Sequence, residues 1–565
     1  MERREFLQTM FAGGSALAMA GLSSCAESQI GTKTVRAKET VPFELDELTI
    51  SQLQAGMECG KYTACSITEM YLQRIERIDR QGPCLNSVIE LNHDALSIAE
   101  RLDKERRESR VRGPMHGIPV LIKDNIDTAD RMTTTAGSLA LKGSIAAQDS
   151  YVVRRLCQAG AVILGKTNLS EWANFRSKRS TGGWSARGGQ TRNPYALDRN
   201  PCGSSSGSGV AVSANLCAAA VGTETDGSIV CPSSVNGIVG IKPTVGLVSR
   251  SGIIPISHRQ DTAGPMTRTV SDAAIVLGAL TGIDKRDEVT KQSEGKAYQD
   301  YTRFLDPQGM KGVRVGVARG LFGFHDQVDK LIEDAIKVIK DLGATVVDPA
   351  NIETNDKYDN SDVEALLYEF KAEINKYLGA LGKDAAVHSL EELIKFNEAN
   401  KEEEMPYFGQ EFFYMAQEKG DLSSPEYIKA LEKVQRLARD EGIDATLEKH
   451  KVDAIVAPTG GPAWLTDWVN GDHFMGGSSS PAAMAGYANI AVPAGFVNGL
   501  PIGISFFSRA FSEPLLIKMA YAFEQATRHR KSPQFLPHVA LGASQLVFDI
   551  TGVPIAQSVE SVHCL

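Results

Sequence analysis

The sequence predicts an α/β fold: one large domain built on a β-sheet covered by helices on both faces. Three observations predict it. Short apolar runs bounded by Gly or Pro recur along the chain, among them IPVLIK, AVILGK, GIVGIKP, VRVGVA, ATVVD, DAIVAP, NIAVPAG and PIGISFF. Helical stretches lie between several of these runs, and strands interleaved with helices imply a sheet buried on both sides. The chain of 565 residues is 42% hydrophobic and 23% charged, which is ample material for a large core and excludes general disorder. Finally, strand signals return at Asp453 after a long helical stretch, so the helices between interrupt one domain.

Taken in order, the elements begin with MERREFLQTMFAGGSALAMAGLSSC. Paired arginines, Arg3 and Arg4, precede Phe6-Leu7 and a weakly apolar Ala/Gly/Leu stretch, the pattern of a twin-arginine export signal. The apolar run ends at Leu22, well short of the ~20 residues a membrane-spanning helix needs. Leu22-Ser23-Ser24-Cys25 resembles a lipobox, so residues 1–25 are read as an export signal with a possible lipid anchor at Cys25. The expected location is periplasmic, or membrane-anchored as a bacterial lipoprotein. Residues 26–41 read as a tether and residues 42–535 as the folded domain. In SITEMYLQRIERIDR, Ile67, Leu72, Ile75 and Ile78 fall near helical spacing and predict an amphipathic helix. Residues from about 285 to 451 turn charged and helix-rich and read as a helical insertion covering the sheet or shaping an entrance. Residues 536–565 lose pattern and are left unassigned.

Composition also limits the chemistry. A formal net charge of −9 argues against nucleic acid as the main partner. Nine cysteines include no C-x-x-C pair and ten histidines no H-E-x-x-H, so neither a zinc site nor a disulfide framework is expected. Cys157, Cys217 and Cys231 read as buried free thiols.

The string CGSSSGSG, Cys202 to Gly209, is either flexible spacer or backbone held close to a reacting atom. Gly203-Ser204-Ser205-Ser206-Gly207 fits G-x-S-x-G and would nominate Ser205, but that motif needs a strand running into the turn, and YALDRNPC precedes it here. Ser293-x-x-Lys296 fits another hydrolase pattern in a polar stretch without its partner motifs. A better set has three members. Lys123 ends the apolar run GIPVLIKDNI, Ser204 opens the serine cluster, and Ser228 lies in TETDGSIVCP after a glycine.

Together these residues resemble the amidase signature family, over about residues 41–535. The most specific part runs from CGSSSGSGVAVSANL through TETDGSIVCPSSVNGIVGIKPTVGLVSRSG. SEWANFR, GWSARGGQT, NPCGSSSGS and TETDGSIVCP are similar to the bacterial peptide amidases, and the late block AGYANIAVPAGFVNGLPIGISFFSR resembles the family's closing strand and helix region. The resemblance implies a mixed central sheet, Ser228 as nucleophile, Ser204 as a bridging serine after a cis peptide from Gly203, and Lys123 as base. It implies that the backbone amides of Thr225, Asp226 and Gly227 face the developing oxyanion. Two residues depart from the commoner family pattern: Asp226 stands where many members have glycine, and Val230 where they have arginine. Both departures resemble the peptide amidase branch.

The chemistry accounts for these residue types. An amide carbonyl is a poor electrophile, so the serine must lose its proton as it attacks. Lysine serves as the base only if neutral, and moving it from about 10.4 to near 7 costs roughly 4–5 kcal/mol, which burial supplies. Ser204 accepts from Ser228 and donates to Lys123 at once, relaying the proton. The expected activity is hydrolysis of carboxamides to acid and ammonia, at the C-terminal amide of peptides or a related small amide, without metal or organic cofactor and without an obligate protein partner. The alternatives are an aryl, fatty or lactam amidase, the glutaminase component of a tRNA-dependent amidotransferase, and a non-catalytic extracytoplasmic binding protein. The loop from Arg176 to Gln190 is expected to line the cleft, with Trp184 reading equally as core or as a substrate platform.

Overall fold

The computed structural model describes residues 43–358 and 360–539. The residues read as export signal and tether, and most of the unassigned tail, lie outside the described residues. Among those described, the strands in chain order are β1 (Val88–Leu91), β2 (Pro119–Lys123), β3 (Val162–Thr167), β4 (Trp184–Ser185), β5 (Gly189–Gln190), β6 (Ala219–Glu224), β7 (Val239–Lys242), β8 (Thr262–Thr267), β9 (Arg314–Val317), β10 (Thr345–Val347), β11 (Ala454–Pro458), β12 (Asn489–Val497) and β13 (Leu500–Phe507). β4 and β5 form a small ribbon. The other eleven make one sheet in the spatial order β1-β3-β2-β6-β8-β7-β12-β13-β11-β9-β10.

The sheet is mixed. β3, β2 and β6 run parallel to one another, as do β11, β9 and β10, and the pairings from β6 through β8, β7, β12 and β13 to β11 are antiparallel. Every residue of β2, β3, β6, β7, β8, β11 and β13 is buried. Successive strand side chains point to opposite faces, so uniform burial means that both faces are covered. One core joins Ile122, Val221, Ile241 and Ile504 of the sheet to Ile67, Leu102, Val276 and Met519 of the flanking helices.

Local chemistry sets the early helices. Thr63 opens the helix Ala64–Arg74 with a reciprocal cap, its side chain accepting from the Ser66 N–H while Ser66 receives the Thr63 N–H. Ile67 and Ile75 are fully buried, while Leu72 and Ile78 pack at the edge of the core. The helix does not run regularly to Arg80: it widens into a π-turn, Ile75–Arg80. That turn aims the buried Asp79 carboxylate at the N–H groups of Ser87 and Val88, at 2.7 and 3.0 Å, and so fixes the start of β1.

The stretch from about residue 285 to 451 is not purely helical. The apolar runs VRVGVA and ATVVD inside it are β9 and β10, which complete one edge of the sheet beside β11. The charged residues around them obscure two short strands. The same stretch supplies the helices Ser361–Gly379, Leu390–Ala399, Glu411–Gln417 and Pro425–Ala438. Phe370 and Phe413 stack at 5.4 Å between centroids and, with Leu393, form a second core that receives Trp172 and Phe175.

This layer is locked by charge as well as packing. Arg176 is fully buried, pairs with the Glu171 carboxylate, and donates to the Glu404 carbonyl at 2.6 Å. Its guanidinium also lies 4.4 Å from the centre of the Phe408 ring. Burial holds the Glu171 carboxyl well above the usual range despite Arg176. Removing one partner from such a buried pair costs about 3–5 kcal/mol. Arg176→Met is therefore expected to lower the unfolding free energy by that amount, as read by urea denaturation against the unaltered protein.

Candidate active site

Lys123 is the last residue of β2, and its side chain does not leave the core: the residue is 0% exposed. Its Nζ lies 2.7 Å from Ser204 Oγ, 2.9 Å from Thr223 Oγ1 and 3.2 Å from the Thr223 carbonyl oxygen. Burial lowers its pKa from 10.5 to about 7, overcoming the opposing influence of Glu224 and Asp261. A neutral amine has two N–H donors and one lone pair. Thr223 supplies two acceptors, so the lone pair is left for the Ser204 O–H. Asn125 donates to the same Thr223 hydroxyl oxygen at 3.0 Å and steadies it.

The serine string is not spacer. Ser204, Ser205, Ser206 and Ser208 are each 0% exposed. Ser205 Oγ donates to the Thr223 carbonyl at 2.9 Å and accepts the Thr223 N–H at 3.1 Å, which ties it into β6 and leaves it structural. Ser206 Oγ donates to the Cys202 carbonyl at 2.6 Å as the helix Ser206–Ser213 begins. The Gly203–Ser204 peptide is cis. A Cβ on Gly203 would meet Ser170 Oγ at 2.1 Å, so a larger residue there would have to displace the hydroxyl that accepts the Gly183 N–H at 2.9 Å.

Ser228 sits between β6 and the short helix Val230–Val235, with 7% of its surface exposed. Its carbonyl accepts the Ser205 N–H at 3.1 Å, so the segments carrying Ser204 and Ser228 are joined directly. The turn before it is held from three sides. Glu224 accepts the N–H groups of Ile229 and Val230 at 2.7 and 3.0 Å. Thr225 Oγ1 donates to Asp261 at 2.6 Å. Asp226 accepts from the Ser479 and Ser480 hydroxyls at 2.5 and 2.6 Å. Gly227 has φ +76°, the left-handed region that glycine enters at little cost. Among the described residues, no acceptor takes the backbone N–H groups of Thr225, Asp226 or Gly227.

Comparison with known proteins identifies the family. The amidase family pattern matches residues 66–517. The chain is 44% identical over 504 residues to a probable amidase of Arabidopsis thaliana, covering 87% of this chain and 93% of that one. The chain belongs to the amidase signature family. It is an amide hydrolase. Among solved structures, the amidase is similar to the native peptide amidase from Stenotrophomonas maltophilia, with 52% identity, a TM-score of 0.84, and coverage of 87% of this chain and 100% of that chain. It is also 32% identical to a glutamyl-tRNA(Gln) amidotransferase component from Thermoanaerobacter pseudethanolicus, over 87% of this chain and 99% of that one.

Several residues of the candidate site carry little signal in the sequence. Thr223 and Asn125 complete the lysine's surroundings, and Ser479 and Ser480 hold Asp226 from more than 250 positions away. Thr223 is visible in retrospect as the first polar residue after the apolar run AAVG. The pair Ser479/Ser480 carries no such signal. Two cysteine expectations are corrected. Cys231 is not a free thiol but is disulfide-bonded to Cys202, with 6.1 Å between their Cα atoms. A spacing of 29 residues belongs to no short motif, so only the fold brings the two together. Cys157 is exposed, because it lies on the outer side of its helix near the C-terminal end, whereas Cys217 is buried as expected. Of the loop expected to line the cleft, Arg176 is buried in the ion-pair layer. Trp184 is core, packed edge-on against Tyr407 and Phe408.

Proposed function

We propose that the protein hydrolyses the C-terminal carboxamide of peptides, with Ser228 as nucleophile, Ser204 as proton relay and Lys123 as base. The observation that carries the mechanism is the buried amine of Lys123, 2.7 Å from Ser204 Oγ with its remaining contacts on Thr223. As Ser228 Oγ attacks the carboxamide carbon, its proton passes to Ser204 while the Ser204 proton passes to Lys123. The oxyanion is received by the backbone N–H groups of Thr225, Asp226 and Gly227, each such donor being worth about 2.7–4 kcal/mol. Collapse returns a proton by the same route to the departing nitrogen. Ammonia leaves and an ester to Ser228 remains. Water then attacks that ester with Lys123 again as base, releasing the peptide acid.

A peptide substrate is supported by the likeness to the Stenotrophomonas maltophilia peptide amidase and to a peptide amidase in complex with the competitive inhibitor chymostatin. It is also supported by an exposed apolar shoulder, where Trp468 stacks on Tyr407 at 4.7 Å beside Val469. Trp468 donates to Gln190 at 3.1 Å, on the loop whose Gly183 packs on Pro201 and Ser206. The same reading places the enzyme outside the cytoplasm through the signal in residues 1–25, with lipidation at Cys25. The Cys202–Cys231 disulfide supports it, because such bonds persist in oxidising compartments. Among the described residues, no helix is long and apolar enough to cross a membrane.

The test incubates purified protein with peptide amides, free glutamine and anilides, and measures ammonia or amine. Release of ammonia from peptide amides is the expected result. Activity on glutamine alone would transfer the reading to the amidotransferase type.

A further inference from the structure

The disulfide joins two segments at a revealing place. Cys202 lies two residues before Ser204, and Cys231 three residues after Ser228. Each segment is held by its own surroundings, the Ser204 carbonyl accepting the Ser170 N–H at 3.1 Å and Glu224 accepting the N–H groups of Ile229 and Val230, but no regular secondary structure joins one segment to the other. Between Arg199 and Ser205 the chain forms no strand or helix, and Cys202 itself has φ +56°. The helix after Ser228, Val230–Val235, has only six residues, and its start is met by the Glu224 carboxylate, not by the side chain of its own N-cap residue. Among the described residues, the hydrogen bonds between residues 200–205 and 228–236 are the Ser205 N–H to the Ser228 carbonyl, at 3.1 Å, and Asn236 Nδ2 to the Pro201 carbonyl, at 3.0 Å, and the Ser205 hydroxyl adds two to Thr223 further upstream. The covalent bridge lies between the first two of these links.

We propose that the Cys202–Cys231 bridge is a positioning crosslink for catalysis, keeping Ser204 in register with Ser228 so that the relay works efficiently only while the bridge is closed. This rests on the reading of Ser204 and Ser228 as the reacting pair. Displacing a reacting group by about 1 Å costs on the order of 100-fold in rate, and the bridge restrains that displacement. The bridge lies near the surface: Cys202 is buried and Cys231 is half-buried. Cys202 belongs to an apolar cluster with Ala463, Trp464, Leu500 and Val539, and all four of these line a cavity of about 550 Å³.

The test uses the full oxidised protein and a peptide amide. Dithiothreitol supplies two electrons and two protons, opening the bridge to two thiols while the reagent closes to its own cyclic disulfide. Cys202→Ala/Cys231→Ala reaches the open state without reductant, and Cys202→Ser/Cys231→Ser is a second version of it. In all three, kcat is expected to fall about tenfold or more while KM stays within about twofold. The far-UV circular dichroism at the assay temperature stays unchanged, and phosphonate labelling of Ser228 slows in proportion. Reoxidation restores the reduced protein but not the variants. A change confined to KM or to the melting temperature would overturn the proposal, as would activity lost only together with the folded signal, since each makes the bridge a staple for the fold alone. Failure of the oxidised protein to turn over peptide amides, or to be labelled at Ser228, would instead overturn the functional reading beneath it.

Discussion

Ser228→Ala is expected to abolish turnover of peptide amides, with kcat falling by about a millionfold, the scale seen when a serine nucleophile is removed from a hydrolase. The surroundings make the substitution clean. Ser228 is held through its carbonyl and through the turn before it, by Glu224, Asp261, Ser479 and Ser480, not through its hydroxyl. The backbone should therefore survive the change, and the folded protein should still bind substrate. Two measurements decide the matter: ammonia release, and covalent labelling by a serine-reactive phosphonate. Both should vanish in Ser228→Ala. Ser205→Ala should keep its labelling, though it loses two buried hydrogen bonds to β6. Labelling that persists without the Ser228 hydroxyl would assign the nucleophile elsewhere.

Lys123→Met is the second large effect, with kcat expected to fall about 10⁴-fold, the upper range for a general base. The pH behaviour is the sharper readout. In the unaltered enzyme kcat/KM should rise with pH through about 7, as burial sets the lysine there and only its neutral form accepts a proton. The residual activity of the variant should lack that step. Stability also rises with pH, but over the range above that step. The folded pKa lies near 7 and the unfolded one near 10.5, so between those values the unfolded chain binds more protons and stability rises with pH. Below about 7 both states carry the proton, and the full burden of burying the amine is present, roughly 5 kcal/mol. Lys123→Met should thus be the more stable protein at neutral pH, and its denaturation midpoint should lose the rise between pH 7 and 10.5. An unchanged kinetic profile in the variant would exclude Lys123 as the base.

Much of this arrangement could be read from the chain because its parts are local. Lys123 ends an apolar run, Ser204 stands in a glycine-rich string, and Ser228 follows a glycine, so each is marked by its neighbours. The strand runs are likewise local, and even β9 and β10 carry a weak apolar signal within the charged stretch. What escaped depends on topology. The order of eleven strands, the approach of Ser479 and Ser480 to Asp226, and the pairing of Cys202 with Cys231 arise from contacts between distant segments. Arg176 shows the same limit. In sequence it is a charge at the edge of a polar loop, yet it lies buried because Glu171 and the backbone of Glu404 meet it from two directions.

The way the great sheet finishes has a consequence for handling the protein. Among the described residues, the eleven-stranded sheet has two open margins, and both are brief: β1 has four residues with an irregular register against β3, and β10 has three. An unpaired margin is a template on which a foreign strand can add, and its hazard grows with length and flatness. Margins this short offer few free N–H and C=O groups, so concentrated preparations should resist edge-on association even though most of the strand interior is apolar.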